Sequence, residues 1–386
     1  MIKFILRIVD FFRTIFSILI LNLKFLFKKI FVKNVKIVLF YFPIKSYQEN
    51  LIELINEIKK EKNFEVFLGF NQGSSNEIQF NKNSYFINPG YLKYIYMLDI
   101  FISSYIVYTF PKSINKIYIN HDIYDAPMVR KESENNLAKS LCDYNYIFTS
   151  STVTIEMLQK KINSFNAQNL EKPKIINTGY LKLDHVHRLI SKNKNFEDSI
   201  LLAPTKSLVY LDFDLSRYLE EIIDKILSIK NSNLVYRPHP SDLKDEIRIR
   251  EIEKIYNLFK NYKNFTIDKN TSYLDSYKKA KFMITDFSGT AYTFAFCKLK
   301  PVIFFSNNEN ELIKSDLSNL YYFKDRNDIG IIESNLNNLN NSIDYIENNI
   351  DIFREKIKRL RSDRIQYFDL SMQQNIKNIK KILNNE

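Results

Sequence analysis

Over roughly its first thirty residues the chain carries apolar side chains with helical period. At about 100° per residue, Ile5, Ile8, Val9, Phe12, Ile15, Phe16, Leu19, Leu23, Leu26 and Phe27 share one face. Lys3, Arg7, Asp10, Arg13, Ser17, Lys24 and Lys28 fall on the opposite half. Beyond residue 34 the pattern changes to short apolar runs that read as buried strands. They are Val35–Phe42, Phe64–Leu68, Lys116–Asn120, Tyr144–Thr149 and Lys174–Asn177, then Ser199–Ala203, Asn233–Arg237, Asn264–Ile267, Phe282–Thr285 and Val302–Phe305. Helical stretches such as Leu215–Lys230 and Leu243–Asn261 separate most of them. Strands alternating with helices predict an α/β chain whose parallel sheets are covered on both faces.

The polar run Ser191–Asp198 divides two such alternating halves. The expected organisation is therefore an amphipathic helix over residues 1–33, Rossmann-like domains over 34–195 and 196–345, and a helical tail over 346–386. Two such domains are expected to face each other across a cleft, with a ligand at the carboxyl ends of the strands.

Length agrees, because 386 residues suit two ordinary α/β domains. The abundance of Ile, Asn, Lys, Phe and Tyr suggests an AT-rich coding bias, which lowers the weight of any lysine or aromatic count. Cys142 and Cys297 have neither metal-ligand spacing nor the look of a disulfide framework, and fit a reducing compartment. Four histidines exclude a His-rich metal centre; no metal and no cofactor are expected.

The net charge of +12 is uneven: residues 1–36 hold eight basic side chains against Asp10 alone. This basicity is packaged with hydrophobic residues rather than spread as a groove, so nucleic acid is not the expected partner. No small-residue cleavage site follows the apolar run, so it is not a signal peptide. Its longest uncharged stretch, Thr14 to Leu23, is too short to span a bilayer. A helix lying in an anionic membrane surface is expected, at the cytoplasmic face. A helix docked on the protein's own core is the alternative.

Candidate chemistry gathers at strand ends. Thr285-Asp286-Phe287-Ser288-Gly289-Thr290 takes a strand directly into a helix, and a helix N-terminus there attracts phosphate. The plainer reading is an ordinary turn with Ser288 as N-cap. Arg237-Pro238-His239-Pro240 ends another strand, and its two prolines stiffen a loop from which Arg237 and His239 are expected to project. Leu201–Thr205 places Thr205 on the same edge. In the other half, Ile117–Asn120 runs into His121, a natural general base, followed by Asp122 and Asp125-Ala126-Pro127. His185 and His187 read as surface or packing residues.

This set resembles the CDP-glycerol glycerophosphotransferase family, enzymes that prime and polymerise teichoic acid-type polymers and are GT-B-like in fold. The matching pieces are Thr178–Asp184, Leu201–Thr205, Arg237–Pro240, Thr285–Gly289 and Lys300–Phe305. The resemblance implies that His121 is the acceptor base and that Arg237 and His239 serve the donor pyrophosphate catalytically. It also implies that Thr205, Asp286, Ser288, Gly289, Thr290 and Lys182 bind donor phosphate or nucleotide. A CDP-polyol donor and a lipid-linked or membrane-associated glycan acceptor follow as partners. The chain departs from the family pattern at Asp122, where Gly is usual, at Gly289, where a second hydroxyl residue is common, at Thr293, where an acid is frequent, and at Lys182, where Arg is common. A GT-B transferase using a nucleotide sugar for capsule or surface polysaccharide is the alternative function.

Overall fold

Each of the ten expected strand runs overlaps a strand of the computed structural model, to within two residues at the ends that overrun. The structure describes residues 2–44, 51–72, 83–112, 114–124, 134–164, 172–191, 197–206, 215–229, 232–270 and 272–384. Contacts divide the chain into two units. The first contains Met1–Asp122, Arg130–Lys182 and Ile365–Glu386; the second contains Ile123–Val129 and Leu183–Arg364.

The first unit is built on a parallel sheet of β1 (Lys36–Ile44), β2 (Phe64–Gln72), β3 (Ser84–Phe86), β4 (Ile100–Ser103), β5 (Asn115–Ile119), β6 (Tyr146–Thr149) and β7 (Lys174–Asn177). Its order is β3-β2-β1-β4-β5-β6-β7. The direction of winding therefore reverses between β1 and β4, where Val38 pairs with Ile100. β3 and β4 lie outside the expected runs. Besides α1 (Ile2–Phe31), the helices here are α2 (Ile52–Ile58), α3 (Glu134–Cys142) and α4 (Thr152–Ser164). Val38, Phe40, Ile102, Ile117 and Phe148 pack with Leu54 and Ile58 of α2 in one core. Ile379, Ile382 and Leu383 of the C-terminal helix Ser371–Leu383 complete that core.

The segment the sequence groups as one tail is thus divided. Helix Ile350–Arg364 belongs to the second unit, and Ile365 onward returns to the first. Gly179 makes the return fit. It has φ +78°, and an added Cβ would come within 3.0 Å of the Tyr367 carbonyl oxygen and the Ser371 Cβ. The division between units falls at Lys182–Leu183, inside α5 (Leu181–Ser191), ahead of the polar run at Ser191–Asp198, part of which lies outside the described residues.

The second unit carries β8 (Ser199–Leu202), β9 (Asn233–Tyr236), β10 (Phe265–Ile267), β11 (Ala280–Thr285), β12 (Val302–Phe305) and β13 (Gly330–Glu333), all parallel. The order β10-β9-β8-β11-β12-β13 is doubly wound, with its switch point between β8 and β11. Helices α6 (Leu219–Ser228), α7 (Glu246–Phe259), α8 (Leu274–Lys279) and α9 (Thr290–Lys298) alternate with the strands. Both units are thus Rossmann-like α/β layers.

α1 is docked on the first unit, but not by the face its pattern suggests. Thr14, Ile18, Leu21 and Phe25 are buried, with Phe25 edge-on to Phe67 at 4.8 Å between ring centroids. These residues lie among the basic positions, so the helix sits on its charged side. Lys24 donates to the Tyr85 hydroxyl (2.6 Å), Lys28 pairs with Glu65 (2.5 Å) and Lys29 with Asp99 (2.6 Å). Among the described residues no helix is long and apolar enough to cross a membrane.

Candidate functional site

The switch point of the second sheet is laced by two residues at the end of β11. The Thr285 hydroxyl donates to the Ala203 carbonyl at 2.6 Å. Asp286 is fully buried, and its carboxylate accepts the backbone N–H groups of Thr205 (2.8 Å) and Leu215 (3.4 Å). A buried carboxylate needs such donors, and here they fix the end of β8 to the end of β11. The direct part of Asp286 is positional, and Thr205 is one of the backbones it holds.

α9 starts immediately afterwards without a side-chain cap. Its N-cap is Gly289, and the Ser288 hydroxyl does not cap it. The Ser288 carbonyl instead accepts the Tyr322 hydroxyl (3.0 Å) and the Ala291 N–H (3.1 Å). The Thr290 hydroxyl is taken by Tyr277. Gly289 is exposed, and an added Cβ there would meet nothing within 4 Å. An open helix N-terminus of this kind attracts an anion through backbone N–H groups and the helix dipole.

On β9's end the two expected site residues behave differently. Arg237 does not project outward: it is buried, donating to Asp268 Oδ2 (2.6 Å) and to the Asn270 carbonyl (2.9 Å). The reason is Asp268, just past the end of the neighbouring β10, a partly buried counter-ion that also accepts the Ser276 hydroxyl. Burial alone would raise the Asp268 carboxyl; Ser276, the Asn270 N–H and Arg237 outweigh it and hold the group below its ordinary value. His239 does remain partly exposed. Its Nδ1 accepts the Ser241 N–H at 3.1 Å, so the neutral ring carries its proton on Nε2. Burial pushes its pKa below the ordinary 6.5; Asp242 opposes this and Lys206 adds to it. At neutral pH the ring is an uncharged N–H donor.

In the first unit, His121 follows β5 and is partly exposed, with Nε2 3.6 Å from Asp122 Oδ2. The loop is pinned from beneath. Buried Asn120 accepts the Ser150 hydroxyl (2.7 Å) and the Asp122 N–H (3.2 Å) through Oδ1, and the Tyr180 hydroxyl donates to the His121 carbonyl. Asp125, Ala126 and Pro127 lie outside the described residues. Lys182 occupies the first turn of α5 as the last residue of the first unit, whereas Thr205, Asp286, Ser288, Gly289 and Thr290 belong to the second. His187 packs with Nδ1 3.0 Å from the Cys297 carbonyl; both cysteines are buried and neither is in a disulfide.

Sequence reasoning missed Asp268, Ser276, Tyr277 and Tyr322, which hold the site residues in place. Only Asp268 carries a signal, since it too follows the end of a strand in the same sheet. It also missed Tyr124, whose hydroxyl donates to Asp325 (2.7 Å) while its ring lies 3.9 Å from that of Tyr292.

Residues 159–351, half of the chain, match the model of the LIC12162 family transferases. Comparison with curated proteins gives no match. Among solved structures, the wall teichoic acid polymerase TagF superposes with a TM-score of 0.59 at 16% identity, covering 99% of this chain and 98% of that one. The S. aureus MnaA–UDP structure gives 0.60 at 12% identity, covering 91% and 97%. A UDP-GlcNAc 2-epimerase from Methanocaldococcus jannaschii gives 0.52 at 14%, covering 81% and 92%. At these identities the likeness establishes a GT-B-like fold and nothing finer.

Proposed function

Because this chain belongs to the LIC12162 family of transferases, we propose that it moves glycerol phosphate, or a related polyol phosphate, from a CDP-linked donor to a hydroxyl of a membrane-associated glycan or polymer, releasing CMP. The observation that carries the reading is the switch-point edge of the second sheet. There the neutral Nε2–H of His239 and the uncapped helix start at Gly289 belong to strand ends bridged only by β8. Two adjacent phosphates suit a side-chain donor on one strand end and a helix N-terminus on another. TagF, which shares the fold, has a structure soaked with CDPG, and this supports a CDP-linked donor.

In the proposed reaction His121 takes the proton of the acceptor hydroxyl, a contribution of about 10²–10⁴-fold. The acceptor oxygen bonds to the β-phosphorus in line, the bond from that phosphorus to the bridging oxygen breaks, and CMP departs with the negative charge. His239 and the start of α9 stabilise that charge, with Thr205 and Ser288 on the same edge. Arg237 supplies fixed positive charge beneath the His239 turn, and its pairing with Asp268 makes it chiefly an anchor of that turn. Lys182 is assigned to the donor by resemblance. α1 attaches the protein peripherally to the cytoplasmic face of the membrane, where a lipid-linked acceptor would lie.

MnaA carries UDP on the same fold, so a nucleotide-sugar donor is the competing reading. A panel of CDP-polyols and nucleotide sugars, incubated with the protein and membranes, separates the two. Release of CMP from a CDP-polyol is expected; release of UDP from a nucleotide sugar, with CDP-polyols inert, would sink the glycerophosphate assignment.

A further inference from the structure

We infer that α1 holds the protein on a lipid surface by apolar insertion alone, with no requirement for anionic headgroups. The inference rests on the membrane attachment proposed above and specifies the kind of surface it takes. α1 docks through Thr14, Ile18, Leu21 and Phe25, which leaves the opposite side of the helix outward. That side carries Ile5, Val9, Phe12, Phe16, Leu19, Leu23, Phe27 and Ile30, all exposed, with Phe16 and Leu23 each at 66%. No polar residue interrupts the stripe, which runs roughly 40 Å at the helical rise.

Four of the eight basic side chains in residues 1–36 are turned to the protein, while Arg7 and Lys33 stay exposed near the two ends of the helix. Lys24, Lys28 and Lys29 meet Tyr85, Glu65 and Asp99, and the Arg13 guanidinium lies 4.7 Å from the centre of the Phe86 ring. They fasten the helix with its basic side inward.

A second element borders the stripe. Asn22 donates to the Tyr94 carbonyl and accepts the Tyr96 N–H, each at 2.9 Å. Phe11 lies 5.8 Å from Tyr91. This lays segment 91–96 along one edge of the helix. Tyr94, Tyr96 and Met97 are exposed, and Met97 holds φ +60°. A tyrosine ring with an apolar body and a polar tip suits the headgroup boundary.

The positions Ile5, Val9, Phe12, Phe16, Leu19, Leu23, Leu26 and Ile30 also alternate four and three apart, as in a two-helix seam. Such a seam needs charged flanks to select its partner. Here the flanks include Leu6, Ile8, Ile15, Ile20 and Phe27, and the flanking Arg13 and Lys29 face protein groups. A broad, uncharged face is the form that lies in a bilayer interface.

The test is flotation of the full chain with vesicles of phosphatidylcholine alone and of phosphatidylcholine with phosphatidylserine. Each is run at low salt and at roughly 1 M NaCl, where screening acts beyond about 3 Å. Similar bound fractions in all four conditions are expected. Combining Phe16→Asp with Leu23→Asp should weaken partitioning about 100-fold. Circular dichroism and the unfolding temperature should not move, because both side chains point away from the core. Binding confined to phosphatidylserine vesicles and lost in salt would overturn the inference and leave membrane attachment standing. Absence of flotation, with a dimer in sedimentation that the double variant disperses, would overturn both.

Discussion

At His239, burial and the Ser241 N–H act together: one keeps the ring neutral and the other leaves its proton on Nε2. His239→Asn keeps an acceptor for Ser241 and removes the ring donor. It should lower kcat/KM by about 10²–10³ with little change in unfolding temperature, as expected for loss of one charge-stabilising donor. Equal activity in steady-state assays would remove His239 from the mechanism. Because its folded pKa is lowered, the unfolded chain binds the proton first as pH falls through 6.5. The associated stability is lost from that point downward and levels off below the folded value. Asp268→Asn tests the neighbouring pair. Leaving the Arg237 charge buried without its partner should cost about 3 kcal/mol in chemical denaturation, and a loss under about 0.5 kcal/mol would show the pair to be idle. The carboxyl's depressed pKa makes its contribution complete above 3.8 and lost as pH falls through the lower folded value. Sequence locates both residues of the Arg237–His239 turn. It does not reveal that Arg237 faces inward, because Asp268 is thirty-one positions away and becomes its neighbour only through the pairing of β9 with β10.

Among the elements, α1 and the C-terminal helix were the hardest to place from their own patterns. Periodicity identifies α1 as amphipathic, yet it cannot tell which face the body of the protein claims. Here the choice went to the side with Phe25 and the lysines, because Tyr85, Glu65 and Asp99 supply partners for them. The C-terminal helix looks like a solvated tail because lysines alternate with its apolar residues, while Ile379 and Ile382 sit in a core begun by Val38. Removing residues 365–386 should therefore unfold the first unit while the second keeps its structure. Limited proteolysis would then yield a resistant fragment near residues 183–364; a resistant fragment covering the first unit would contradict this.

Across the whole molecule, the alternation of apolar runs and helices was enough to read two parallel-sheet units. The short β3, β4 and β13 stayed hidden, as did the hydroxyls of Tyr277 and Tyr322 that hold the α9 turn. Acceptor activation and donor binding are assigned to different units. His121→Ala should thus abolish turnover while donor affinity in calorimetry changes less than about 3-fold, a shift under 1 kcal/mol. Retained turnover would exclude His121 as the base. The return of the chain at Ile365 also orders events on the ribosome. The first-made sheet is complete at Asn177, but the residues that close its core come about two hundred positions later. At translation speed that is a wait on the order of tens of seconds. The second unit is finished at Arg364, so the half of the protein that emerges first is the last to seal.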